Sequence, residues 1–387
     1  MTKGLPRTGL WGLLGKLGIA VLCAASALAQ PQEEAPQPLI PPALAPESLA
    51  ADDIGLLARI HFATHTPDFD RARAFYRMLG YTGGVTGFPL TNTHLMARAL
   101  GMFDVCQYEL VKGEVIALPG SLNTASIDLL QFKIPFDGRP PYERPNHLGA
   151  AYSALLTTDL GSDVEFLKSQ GVRFLSEPYG VPGNRFVFFR DPDGVLFKLV
   201  ETAPPHGDPT AKMHLVAMPY VAINVKDLEA SLAFYRQFGY TSVARFEQAG
   251  TRDEARAYGL DRAFRVVGAD VSLGRGDRHV LRLQQWQKPF DPDPANPAPI
   301  NRIGIQRIAL LVANVDRAVS ILKARGVPFL SEIAPCCSGT GADETGIVHA
   351  IDPNGVYLEL VGAIARRPLA PQPEGCPPLE IKLPPKE

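Results

Sequence analysis

Two histidines, His61 and His65, fall four residues apart in the segment Arg59–Thr66. The segment alternates, so a strand here turns Arg59, His61, Ala63 and His65 to one side. An imidazole there can ligate a divalent metal or carry a proton near neutral pH. Strand rise separates the two by about 13 Å, so both cannot hold one metal without a bulge. His61 is therefore the ligand candidate, and His65 a substrate contact or base at the mouth of a site. The plainer reading of His61 is a partly buried side chain bonded to a neighbouring strand. His94, His147, His206, His214, His279 and His349 read as surface or structural residues.

Such residues need elements to position them, and the chain carries one set of elements twice. Asp68–Thr82, with Phe75-Tyr76 and Gly80 inside it, recurs as Asp227–Thr241, with Phe234-Tyr235 and Gly239. Gly171-Val172-Arg173-Phe174-Leu175-Ser176-Glu177 recurs as Gly326-Val327-Pro328-Phe329-Leu330-Ser331-Glu332. Asp191-Pro192-Asp193-Gly194 recurs as Asp352-Pro353-Asn354-Gly355. Repetition at this period marks duplicated structural units. Phe69, Ala72, Phe75, Tyr76 and Leu79 have helical spacing, and Gly80 ends that helix. Alternating runs precede and follow it. Each copy divides again, giving four βαβββ units at roughly 56–134, 146–201, 217–287 and 302–362.

The 387 residues carry a net charge of −2, with 46% hydrophobic and 20% charged residues. That is a globular composition. No basic stripe is present, so nucleic-acid binding has no electrostatic support. Lys3, Arg7 and Lys16 precede an apolar run over Leu17–Leu28, and Ala27-Leu28-Ala29 matches a small-x-small cleavage site. Residues 1–29 thus read as an export signal that leaves no stable membrane span after cleavage. The expected location is the periplasm or outside the cell. Residues 30–53 read as a Pro/Ala-rich linker, and 364–387 as a Pro-rich, unpacked tail. The domains between them are placed at 54–205 and 214–363. Cys106, Cys336, Cys337 and Cys376 remain after export, too few for a disulfide scaffold in this length. Cys336 and Cys337 are adjacent, so each either pairs elsewhere or stays free.

The strand-Asp-helix-Phe-Tyr-x3-Gly blocks, the Gly-Val-x-Phe blocks and the Asp-Pro-x-Gly turns resemble those of the vicinal oxygen chelate superfamily. That group includes glyoxalase I, bleomycin-resistance proteins and extradiol dioxygenases. The resemblance runs from about Leu56 to Val361. It implies an α+β fold in which four βαβββ units form two cup-shaped glyoxalase-like domains. It also implies chemistry at four inward strand positions per cup, usually His, Gln or Glu around a divalent metal. Here those positions are His61 and Asp128 in unit one, and Tyr152 and Lys198 in unit two. In unit three they are Tyr220 and Arg282, and in unit four Arg307 and Glu359.

Two pairings of units are open. Chain order gives one cup with His61, Asp128, Tyr152 and Lys198, and another with Tyr220, Arg282, Arg307 and Glu359. Neither suits a metal, because Lys and Arg are cationic. A crossed pairing gathers His61, Asp128, Arg307 and Glu359 in one cup. His61, Asp128 and Glu359 then make a divalent-metal ligand set. Tyr152, Tyr220, Lys198 and Arg282 are left as a substrate pocket in the other. In the first cup Arg307 contacts substrate or a carboxylate, and an Arg307–carboxylate salt bridge is the plainer alternative.

Two functions follow from the resemblance. One is an exported lyase, isomerase or hydrolase acting on a small oxygenated molecule with one retained metal site. Extradiol dioxygenase chemistry is disfavoured, because its two-His, one-carboxylate set is absent from both cups. The other is a metal-free binding or sequestering protein of the bleomycin-resistance type. Either would act on a small molecule as a monomer or homodimer.

Overall fold

The computed structural model describes residues 50–384, apart from 87, 120–125, 135–137, 203–210, 275–279, 292, 294–299, 337–343 and 369–370. The expected export signal and most of the 30–53 linker lie outside the described residues, as do His206, His279 and Cys337. Among the described residues no helix is long and apolar enough to cross a membrane.

Unit one comprises β1 (Leu56–His65), α1 (Phe69–Met78), β2 (Thr82–Val85), α2 (His94–Ala99), β3 (Glu109–Ala117) and β4 (Ser126–Ile134). Unit two comprises β5 (Gly149–Thr157), α3 (Leu160–Ser169), β6 (Phe186–Arg190) and β7 (Leu196–Glu201). In unit three are β8 (Leu215–Ala217), β9 (Tyr220–Asn224), α4 (Leu228–Arg236), β10 (Ser242–Gly250), α5 (Arg252–Ala257), β11 (Phe264–Ser272) and β12 (Val280–Lys288). Unit four holds β13 (Gly304–Asn314), α6 (Val315–Ala324), β14 (Ala334–Pro335), β15 (Thr345–Ile351) and β16 (Tyr357–Ala363). The short helices α2 and α5 interrupt what the alternation predicts as strand and loop. Each is held by a threonine cap, Thr93 accepting from the Met96 amide and Thr251 from the Glu254 amide.

The four longer helices start for a common local reason. Asp68, Asp159, Asp227 and Asn314 each accept a hydrogen bond from an amide in the first turn. Those side chains satisfy amides that a helix start leaves without a partner. Gly80 and Gly239 end α1 and α4 at φ of 97° and 96°, a region open chiefly to glycine.

The strands form two eight-stranded sheets, and the units are crossed between them. One sheet runs β14-β15-β16-β13-β1-β4-β3-β2, joining unit four to unit one. The other runs β10-β11-β12-β9-β5-β7-β6, joining unit three to unit two, with β8 paired to β5. The seams are antiparallel, β1 against β13 and β5 against β9. One core cluster draws Phe62, Leu129, Leu310 and Leu358 from the first sheet and Leu155, Phe197, Ile223 and Leu283 from the second. The apolar faces of α1, α3, α4 and α6 belong to the same cluster. The opposite face of each sheet is its cup.

The repeated blocks meet in space. Tyr76 Oη donates to Asp191 Oδ2 at 2.7 Å, and Tyr235 Oη to Asp352 Oδ2 at 3.0 Å. Each Phe-Tyr helix is thereby tied to the Asp-Pro-x-Gly turn of the next unit in the chain. Burial raises the Asp191 carboxyl to about 7, Asp193 adding to the shift.

The tail differs from expectation. Cys376 forms a disulfide with Cys106. The Leu90 amide donates to the Lys382 carbonyl at 2.7 Å, and the Lys382 amide to Thr91 Oγ1 at 2.7 Å. Proline supplies no amide, so a Pro-rich segment reads as unpaired from sequence, whereas here the few non-proline residues and one sulfur pin it. Cys336 is also disulfide-bonded.

Candidate functional site

Alternation within each strand aims the site residues. Ile127 and Leu129, Ile308 and Leu310, and Leu358 and Leu360 all enter the central core, so Asp128, Arg307 and Glu359 face the opposite way. The crossed pairing places Asp128, Ala63 and Arg307 in one row, because Ala63 pairs with both. Ala309 likewise pairs with both His61 and Glu359. An alanine between two long polar residues leaves room for their side chains to meet above it.

They do meet. Arg307 Nη2 donates to Asp128 Oδ2, and Arg307 Nε lies 2.5 Å from Glu359 Oε2. His61 Nε2 lies 3.7 Å from the same Glu359 oxygen. All four are buried. Burial raises the Asp128 carboxyl against the opposing pull of Arg307 and His61. Burial also acts to raise Glu359, but Arg307, His61 and His349 outweigh it and hold Glu359 below the usual carboxylate range. The two carboxyls are thus driven apart although they share one guanidinium.

His349, read from sequence as surface or structural, belongs to this group. It pairs with Glu359 across β15 and β16, and it is fully buried. Burial pushes its imidazole down to about 4, so it is neutral at pH 7. Alternation along β15, with Ile347 and His349 on the cup side, is the signal that could have marked it.

His65 goes elsewhere. The β1–β13 ladder shifts register between Arg59 and His61, so alternation does not carry Arg59 to the side of His61, whereas His61, Ala63 and His65 pair in unbroken register with β4. Arg59 Nη2 instead donates to the Met218 carbonyl at 3.2 Å. His65 Nδ1 lies 3.0 Å from the Leu130 carbonyl, its ring packs on Phe132, and it does not line the cavity.

The cavity above His61, Asp128, Arg307 and Glu359 has a volume of about 100 Å³. Its other walls are mostly apolar, with Met96, Leu110, Leu130, Phe132, Ile347 and Val361 among them. Asp128 Oδ1, Arg307 Nη1 and His61 Nδ1 are buried without hydrogen-bond partners among the described residues.

A divalent metal does not fit this set as it stands. The oxygens of Asp128 and Glu359 that face each other are already engaged by the Arg307 guanidinium, so an added cation there would meet a fixed positive charge. Among the described residues, candidate ligand atoms come within 4.8 Å of one another in a different group, His147, Asp291 and Asp293, and not in His61, Asp128 and Glu359. Arg144 lies 3.5 Å from Asp291 and 3.0 Å from Asp293, which places a cation there too.

The second cup collects Tyr152, Tyr220, Lys198 and Arg282. Arg282 donates twice to Asp270, each bond 2.7 Å, and its guanidinium lies 3.9 Å over the Tyr220 ring. Tyr152 Oη donates to Gln284 Oε1 at 2.9 Å. The cup opens into a cavity of about 980 Å³.

A family model described as "Glyoxalase/Bleomycin resistance protein/Dioxygenase superfamily" matches the chain twice, over residues 59–199 and 217–360. Among solved structures, a point mutant of glyoxalase I from Zea mays superposes with a TM-score of 0.50 at 17% identity, covering 79% of this chain and 93% of that one. A fosfomycin resistance protein from Listeria monocytogenes matches with a TM-score of 0.25 at 18% identity, covering 37% of this chain and 89% of that one. No curated protein matches.

Proposed function

The chain belongs to the Glyoxalase/Bleomycin resistance protein/Dioxygenase superfamily, and from that premise we propose that it is a metal-independent small-molecule-binding member. The carrying observation is the Arg307 guanidinium bridging Asp128 and Glu359 at the floor of an apolar cavity. A fixed internal cation supplies the positive charge there, so the ligand need not bring one or recruit a metal.

The cavity chemistry defines the ligand class. Asp128 Oδ1, Arg307 Nη1 and His61 Nδ1 offer both donors and acceptors with no hydrogen-bond partner among the described residues. Buried polar atoms left unpaired cost about 1–3 kcal/mol each, so a ligand that pairs with them is favoured. About 100 Å³ is smaller than the roughly 150 Å³ void that takes one benzene ring, so the group it admits is at most about one ring. The ligand is thus a molecule of about one ring with a single polar end.

The opposed shifts of Asp128 and Glu359 support a second reading, proton transfer on the bound molecule. Asp128 is the carboxyl that burial displaces upward and Glu359 the one held down, an opposition that separates acid and base roles. Action outside the cytoplasm rests on the reading of residues 1–29, and the Cys106–Cys376 disulfide supports it.

The test combines metal analysis with calorimetric titration of the purified mature chain. Phenol should bind wild type without added metal and lose at least about tenfold in affinity on Asp128→Ala, a loss of about 1.4 kcal/mol. Stoichiometric metal that disappears in His61→Ala would sink the proposal.

A further inference from the structure

The second cup carries a buried amine that forms no ion pair among the described residues. Lys198 lies between Phe197 and Leu199, which enter the central core, so its side chain crosses to the cup face. Its Nζ lies 4.1 Å from the Phe186 ring centroid, 5.2 Å from that of Tyr258 and 5.6 Å from that of Phe188. Among the described residues no carboxylate lies within 4.0 Å of it. Nζ donates to Tyr258 Oη at 3.3 Å.

The neighbouring charges are committed elsewhere. Arg282 on β12 is held by Asp270 on β11. Glu254 on α5 accepts from Gln248 Nε2 at 2.7 Å. Tyr152 on β5, Tyr220 on β9 and Tyr258 after α5 keep their protons, since burial raises all three. A lysine in this setting is desolvated by aromatic walls and sits near another cation, the two conditions that activate lysine amines toward carbonyls.

We propose that Lys198 is a nucleophilic amine that forms an imine with small aromatic aldehydes entering the second cup. Nitrogen attacks the carbonyl carbon, a C–N bond forms, and the carbonyl oxygen leaves as water with both hydrogens of the neutral amine. No redox change is involved. The large cavity admits an aryl group, and Tyr179, Tyr220 and Phe186 supply faces for it. Since Arg282 is already paired with Asp270, an uncharged carbonyl suits the cup better than a carboxylate.

Burial, with Arg282 second and a smaller opposing pull from Glu254, lowers the Lys198 amine to about 7, which supplies the neutral nitrogen that the attack requires. Its neutral fraction at pH 7 is roughly a thousandfold that of an ordinary lysine.

The test is reductive trapping of the full mature chain with benzaldehyde and sodium cyanoborohydride at pH 7, read by intact mass and peptide mapping. One benzyl group should appear first, on Lys198, at least about tenfold faster than on the exposed Lys112 or Lys133. Labelling of Lys198 should level off near pH 8, while that of the exposed lysines keeps climbing. Lys198→Arg should lose the fast label. Benzylation of surface lysines with Lys198 spared, or equal rates throughout, overturns the proposal. The readout is independent of ligand binding in the first cup, so failure of one proposal does not mimic failure of the other.

Discussion

His349 stands directly opposite Glu359 across the β15–β16 ladder, on the floor of the first cup. Its imidazole is buried and held at about 4. The unfolded chain therefore takes up this proton first as pH falls. The stabilising difference is complete above about 6.5 and is lost as pH drops toward 4. Glu359 has a depressed pKa, so its contribution is present above its unfolded value of about 4.3 and lost below that. The two windows are adjacent. His349→Asn should flatten the stability profile between about pH 6.5 and 4, where wild type loses on the order of 1 kcal/mol per pH unit. Urea unfolding across that range measures it, and an unchanged slope would contradict the assignment.

Arg307 pairs with both Asp128 and Glu359. Removing one member of a buried ionic group typically costs about 3–5 kcal/mol, because the remaining charges lose their partner. Arg307→Met should lose that much stability. Adding Glu359→Gln should recover part of the loss by removing one stranded charge. A single variant as stable as wild type would show that the guanidinium is not structurally required.

The Cys106–Cys376 bond closes a sequence separation of 270 residues. Loop-closure entropy assigns about 5.6 kcal/mol to a bridge that long. Cys376→Ser should lower the melting temperature and release the tail contacts to Leu90 and Thr91. Amide exchange should then rise at Leu90 and Lys382, the two donors pinned in the native chain. Unchanged exchange at both would show that the disulfide does not hold the tail.

Tyr76 and Tyr235 make the same bond in the two copies, to Asp191 and Asp352. Tyr76→Phe and Tyr235→Phe should each cost about 1–3 kcal/mol, since a buried carboxyl loses its donor. The double variant should be additive, because the two bonds share no residue. Non-additive unfolding energies would reveal coupling between the copies.

The parts legible from the chain alone are those set by nearest neighbours along it. Helix caps at Asp68 and Asp227 and glycine stops at Gly80 and Gly239 are local chemistry. So is the inward aim of Asp128, Lys198 and Glu359, since each sits between two apolar strand residues, and that of Arg307, which alternates with Ile308 and Leu310. Local rules put Arg59 on the side of His61, which the register shift between them undoes, and they read His349 as surface or structural although alternation along β15 points it at the cup.

The tertiary structure decided which units share a sheet. Either pairing satisfies the same alternation, so no periodicity in the sequence can distinguish them; only the long-range β1–β13 and β5–β9 seams do. That choice puts Ala63 between Asp128 and Arg307, and Ala309 between His61 and Glu359. The short alanines let a guanidinium close over two carboxylates, and a ligand set readable as a metal site becomes an ion-paired floor.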